Sequence, residues 1–240
     1  AWHALLLTAH AVPGTSPEAL AASHRACASV LETAAPRIAH VRPPSSPRPL
    51  RVGYVSADFR RHSVAHFFAP VLAAHDRSRV TPLLFSNFDG GDDVTAELRA
   101  HAAGFFEVRG LDDDAFAALV AAERVDALVD LSGHTADNRL GVFARKPAPV
   151  QATWLGYADT TGLDAIDLRL TDARADPPGT TEHLHSERLV RLPHVFLCYG
   201  PPALAPVPAP PPSALTGAPT FGSMNDLGKL SQATVELWAR

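Results

Sequence analysis

From Leu50 onward the chain alternates short Val/Leu-rich runs with stretches whose apolar residues recur at helical spacing. No other feature limits the possible folds as tightly. Leu50–Ser56, Val80–Ser86, Phe105–Val108, Val125–Leu131 and Val150–Leu155 read as strands, with Leu168–Thr171 and Leu189–Leu192 as two more. Between them Ala65–His75, Asp93–Ala103, Asp112–Ala122 and Asn138–Ala144 read as helical. Repeated strand–helix–strand units with nearly continuous apolar strands predict an α/β, Rossmann-like parallel sheet covered on both faces. In such a sheet the ligand crevice lies beyond the carboxyl ends of the strands. The segments Ser56–His66, Gly133–Arg139 and Gly156–Gly162 then share one rim.

The flanks have a different character. Residues 16–34 read as a helix, with Ser16 as its cap, Pro17 in its first turn and Glu18 at the positive end of its dipole. Many of the 22 prolines fall in Pro43–Pro49 and Pro201–Pro219, which read as stiff connectors. Beyond the second connector, Thr220–Met224 could open a new strand and residues 231–240 a helix. A helix running to the last residue without a capping signal suggests a piece of something longer. The 21 Lys and Arg are scattered and outnumbered by 25 Asp and Glu, which argues against a nucleic-acid surface. The first ten residues lack the layout of a signal peptide, and no apolar run is long enough to span a bilayer. Cys27 and Cys198 are too few for a disulfide framework, so the expected setting is a reducing cytoplasm.

Three loops carry candidate chemistry. Ser56-Ala-Asp-Phe-Arg-Arg-His62 follows the first strand, and an imidazole there suits proton transfer or a hydrogen bond to phosphate. The plain alternative is a loop or packing role for His62 and His66. Their spacing could serve zinc, but no Glu follows the first His and no third ligand is evident, so a metal is not expected. Asp130-Leu-Ser-Gly-His134-Thr135 ends the most apolar strand, where Gly133 allows close backbone approach and His134 and Thr135 offer polar groups to the crevice; a simple strand-to-helix turn is the alternative. In Asn225-Asp-Leu-Gly-Lys229 a cation stands beside a helix start, an arrangement that favours phosphate, although a lone loop Lys is commonly surface. Neither a dinucleotide nor a P-loop glycine motif is present.

Four ordered stretches resemble the protein O-GlcNAc transferases, and bacterial members in particular. They are Arg51–Phe59 with His62 and His66, Pro147–Gly162, Ser186–Phe196 and Phe221–Lys229. The resemblance implies a two-lobed GT-B glycosyltransferase preceded by tetratricopeptide repeats. Residues 1–48 would join those repeats, 49–200 would form the N-terminal catalytic lobe, 201–218 a linker and 219–240 the beginning of the C-terminal lobe. It implies transfer of N-acetylglucosamine from a UDP-sugar to Ser or Thr hydroxyls of a protein or peptide acceptor, with inversion. It implies neither cofactor nor metal, while the charge balance and the short apolar runs already speak against a nucleic-acid or membrane partner. His62 matches a family histidine considered as the catalytic base, and Lys229 the lysine that neutralises the leaving diphosphate, with Asn225 beside the donor. Leu155, Gly156 and Tyr157 match a loop on the acceptor side of the cleft, where His134 would also lie. Two positions depart from the pattern: animal members carry Tyr at His134, and Gln stands at Asp226.

The resemblance leaves room for a relative that uses another UDP-hexose or an Asn acceptor. It also leaves room for a scaffold with a vestigial lobe, against which His62 and Lys229 both speak. A GT-B cleft needs both walls, so residues 1–240 by themselves are expected to be inactive, with the rest of the C-terminal lobe as continuation or separate chain.

Overall fold

A computed structural model describes residues 2–40, 48–201, 207–224 and 227–239. Its centre is a seven-stranded parallel sheet in the order β3-β2-β1-β4-β5-β6-β7. The strands are β1 (Leu50–Ser56), β2 (Val80–Ser86), β3 (Gly104–Glu107), β4 (Ala127–Asp130), β5 (Val150–Thr153), β6 (Leu168–Asp172) and β7 (Arg188–Leu192). The chain runs outward from β1 to β3, then returns to the other side of β1 as β4. That reversal places the topological switch point between β1 and β4, with β5 next in line. All seven expected strands are present: β4 and β5 are shorter than expected by one or two residues at their ends, β6 and β7 are each one residue longer, and β3 is shifted by one.

Strand alternation divides the core into two layers. On one face Val55, Leu83, Phe85 and Leu128 meet α5 (Asp113–Ala122) and α6 (Leu140–Ala144) through Phe116, Val120 and Phe143. On the other, Tyr54, Leu84, Val129 and Trp154 meet α3 (Ser63–Ala74) and α4 (Asp93–His101) through Phe68, Leu72 and Leu98. Adjacent residues of one strand serve opposite layers, which is why the strands read as unbroken apolar runs.

The helix starts follow from capping chemistry. Ser16 accepts from the Ala19 amide at 3.2 Å and Pro17 opens α2 (Pro17–Thr33). Asp92 and Thr95 form a reciprocal capping box on α4, and the Asp112 carboxylate accepts from the Ala115 amide to start α5. α6 begins two residues later than its pattern suggests, because the Asn138 side chain accepts from the Leu140 amide and holds the preceding residues in a turn.

Two elements differ from the sequence reading. An additional helix, α1 (Trp2–Ala9), packs on α2, which itself rests against α6. Residues 220–224 are not a strand: Phe221 and Met224 are almost fully exposed, and among the described residues no neighbouring strand supplies the ladder that β-propensity alone cannot replace. The segment lies between α7 (Ser213–Thr216) and α8 (Gln232–Trp238), neither of which has a buried residue. Among the described residues no helix is long and apolar enough to cross a membrane.

Candidate active site

The carboxyl ends of β1, β4 and β5 are adjacent, so the loops at Ser56–His62, Asp130–Thr135 and Trp154–Gly162 share one rim. On the β1 side, the Ser56 hydroxyl accepts from the Asp58 amide at 2.9 Å, which turns the chain sharply. Asp58 is buried and holds Arg60, whose guanidinium lies 4.8 Å from the Phe88 ring centre. His62 caps α3: the Val64 N–H donates to its Nδ1 at 3.2 Å. Asp58 Oδ2 lies 3.6 Å from the same nitrogen. An Nδ1 that accepts has no proton, so the neutral ring carries its proton on Nε2, on a side chain that is 38% exposed. In this arrangement His62 presents a donor to the crevice. His66 is exposed, and the pair gathers no third ligand among the described residues.

The β4 loop is organised by Asp130. Its buried carboxylate accepts from the amides of Ser132 and Gly133 and from the Thr153 hydroxyl, at 3.1, 2.8 and 2.8 Å. Burial pushes its pKa up to about 6, against those hydrogen bonds, which favour the ionised form. Gly133 takes φ +53° with Tyr157 pressed against it, where a Cβ would meet the tyrosine at 2.3 Å. Gly156 is tighter, since a Cβ would lie 1.9 Å from the Leu131 carbonyl oxygen. Leu155, beside it, is held at φ +76°, a left-handed conformation that costs a bulky residue about 1 kcal/mol or more.

His134 and Tyr157 turn inward rather than toward open solvent. The His134 Nε2–H donates to the Thr161 carbonyl at 2.8 Å, which leaves Nδ1 to accept from His3 Nδ1–H of α1 at 2.9 Å. Burial pushes the His134 pKa down to about 3, so the ring is neutral. His24, buried on α2, donates through Nδ1–H to the Leu20 carbonyl at 2.7 Å, and its Nε2 therefore accepts from the Tyr157 hydroxyl at 2.8 Å. The Tyr157 oxygen then accepts from His10 Nε2–H at 2.9 Å, with Asp159 Oδ2 3.6 Å from that nitrogen. His10 is exposed, and only its Nε2 enters this chain. The expectation of a crevice-facing His134 thus gives way to an imidazole whose two nitrogens are both spent inside. Thr135, half-buried, donates its hydroxyl to the Ser132 carbonyl at 2.8 Å.

Two side-chain groups have metal-ligand types within reach: His3, Cys27 and His134, and His10, His24 and Asp159, with ligand atoms within 4.8 Å in each. The hydrogen bonds above already engage His24 through both nitrogens and link His3 to His134, so either group would have to surrender them to a cation. Of the expected donor-side residues, Lys229 closes a short 3-10 turn, Leu227–Lys229, and Asn225 lies outside the described residues. Sequence reasoning missed His3, His10 and His24. For His24 a signal existed: Ala21, His24, Cys27 and Ala28 fall on one helical stripe, which is the stripe that is buried.

Similarity to known proteins supplies the context. Residues 18–200 match the description of glycosyl transferase family 41. A rice protein (Oryza sativa subsp. japonica) named probable UDP-N-acetylglucosamine–peptide N-acetylglucosaminyltransferase SPINDLY is 45% identical over 203 residues, 82% of this chain and 22% of its own length. The Caenorhabditis elegans UDP-N-acetylglucosamine–peptide N-acetylglucosaminyltransferase is 32% identical over 149 residues, 61% of this chain and 13% of its own. A solved variant of the Thermobaculum terrenum O-GlcNAc transferase superposes with a TM-score of 0.92 at 37% identity, over 99% of this chain and 45% of that one. The chain spans about a fifth of the curated SPINDLY relatives it matches. With an α/β lobe of this topology and a family match over most of its length, the chain belongs to glycosyl transferase family 41.

Proposed function

We propose that the chain is the N-terminal catalytic part of an inverting protein glycosyltransferase that moves N-acetylglucosamine from UDP-N-acetylglucosamine to Ser or Thr hydroxyls. The observation that carries this reading is the family match over residues 18–200, which includes the rim where His62 and the Leu155–Tyr157 loop stand at the switch point. The names of the relatives supply the donor and the class of acceptor.

In the proposed reaction the acceptor oxygen attacks the anomeric carbon, the bond from that carbon to the diphosphate oxygen breaks, and the hydroxyl proton passes to a base. The negative charge on the departing UDP is assigned to Lys229 and to helix N-termini, with no divalent metal. The complete enzyme is expected to keep its turnover in excess chelator; loss of turnover would contradict the metal-free assignment. The reaction is assigned to the cytoplasm, with a C-terminal lobe as the other wall of the cleft and tetratricopeptide repeats ahead of α1.

The base is assigned to His62, which places a demand on its tautomer. To accept a proton at Nε2, the ring must carry its other proton on Nδ1, facing Asp58 at 3.6 Å, and give up the Val64 amide. His10 is a second candidate because it is exposed beside the Tyr157 loop, with its Nε2 held by the Tyr157 hydroxyl and Asp159 near that nitrogen. Measuring UDP release by the complete protein with UDP-N-acetylglucosamine, other UDP-hexoses and peptides bearing Ser, Thr or Asn tests the reading. Preferred transfer of N-acetylglucosamine to Ser or Thr supports it. Preference for another sugar or for Asn favours the alternative transferase, and absence of UDP binding by calorimetry favours a scaffold.

A further inference from the structure

The Leu155–Tyr157 loop is held from two sides. From the sheet side, Arg169 donates to the carbonyls of Tyr157 and Asp159 at 3.0 and 2.8 Å, and buried Glu187 accepts from the Thr161 amide at 2.8 Å. These contacts belong to the lobe and fix the backbone after Tyr157. The side chain of Tyr157 is fixed differently. Its hydroxyl lies between His24 and His10, 133 and 147 residues away in sequence, both on the helical segment that precedes the sheet.

The proton order along this chain is determined at one end. The Leu20 carbonyl takes the Nδ1 proton of His24, so Nε2 can only accept; Tyr157 must donate to it, and its oxygen is left to accept from His10. Every donor has one acceptor, and the buried tyrosine is satisfied without water. Two residues before Tyr157, Leu155 sits in a left-handed conformation that persists only where its surroundings enforce it. Gly156 wedged against Leu131 enforces it on one flank. The tethered Tyr157 ring enforces it on the other.

We propose that His24 is a positioning residue: through the Tyr157 hydroxyl it holds the Leu155–Gly156 turn in the geometry that receives the acceptor. The helical segment ahead of the lobe thereby completes the acceptor side of the cleft. This rests on the functional reading above for what the loop faces, but the latch itself is a matter of hydrogen-bond geometry.

The test uses the complete protein and three substitutions. Tyr157→Phe removes the hydroxyl with the ring retained, and His24→Leu removes the nitrogen that accepts. His24→Gln can restore an acceptor through its carbonyl oxygen. Tyr157→Phe and His24→Leu are expected to lower kcat/KM for the acceptor peptide by about 10-fold to 100-fold, largely through KM, with KM for the UDP-sugar held. His24→Gln is expected to recover most of the loss. Hydrogen exchange across residues 155–162 should quicken in the first two variants and return toward wild type in the third. Acceptor kinetics that stay at wild-type values overturn the proposal, as does a parallel fall in donor and acceptor parameters without recovery in His24→Gln. If the wild-type protein transfers no sugar, the functional reading fails, and hydrogen exchange alone then decides the latch.

Discussion

His62 and His134 stand on neighbouring loops of one rim, yet the fold holds them in opposite ways. His62 is fixed by its own neighbourhood: it caps the helix that follows it and faces Asp58 four residues earlier, with more than a third of its side chain in water. His134 is fixed from afar, by His3 of α1 and the Thr161 carbonyl, and is fully buried. A local arrangement leaves a ring nitrogen free for a substrate. An arrangement assembled from separate segments uses both nitrogens to hold the segments together. On the proposed reading, proton handling falls to the β1 side of the rim and alignment to the β4–β5 side.

The largest effect should come from the assembled side. Gly156→Ala sets a Cβ 1.9 Å from the Leu131 carbonyl oxygen, a backbone atom that cannot step aside. A loss of about 4 kcal/mol or more is expected in denaturant unfolding. A small loss would show that the loop is looser than its contacts indicate.

Acid should separate the two sides next. His134 has its pKa pushed down to about 3 from an ordinary 6.5, and burial also lowers those of His3 and His24. Below pH 6.5 the unfolded chain binds protons that the folded lobe refuses, so stability falls as pH falls toward 3. The slope is up to about 1.4 kcal/mol per pH unit for each fully shifted histidine. Asp130 acts in the other direction: with its pKa raised from 3.8 to about 6, the folded lobe gains a proton that the unfolded chain does not, over that window. With half-buried His75 lowered in the same way, four histidines against one carboxylate leave a net loss, seen as a fall in denaturant midpoint from pH 7 to 5. His134→Gln should flatten the curve, and an unchanged curve would break the assignment of buried neutral rings.

The smallest stability change belongs to the local side. His62→Ala loses a cap worth about 1 kcal/mol, whereas His62→Asn keeps a capping oxygen and stays near wild type. Thermal unfolding distinguishes the two. Loss of turnover in both would assign the effect to the imidazole rather than to the cap.

The same difference explains what could be read from the sequence. Strands were legible because both faces of the sheet are covered, so each strand is apolar throughout, and caps were legible because Ser16 and Asp112 act within three residues. His62 was legible as a polar group at a strand's end. The histidine–tyrosine chain was not, because its partners are joined only when the helical segment docks on the lobe. Thr220–Met224 misled in the reverse sense: its composition suits a strand, but among the described residues it joins no sheet.

The division of labour on the rim is tested most directly by single-turnover transfer in the complete protein, comparing His62→Asn with Tyr157→Phe across a range of acceptor concentrations. The expected result is a His62→Asn variant whose rate stays low at saturating acceptor, and a Tyr157→Phe variant whose rate approaches wild type once the acceptor saturates. If both variants lose rate and affinity in the same proportion, the two sides of the rim are not doing different things.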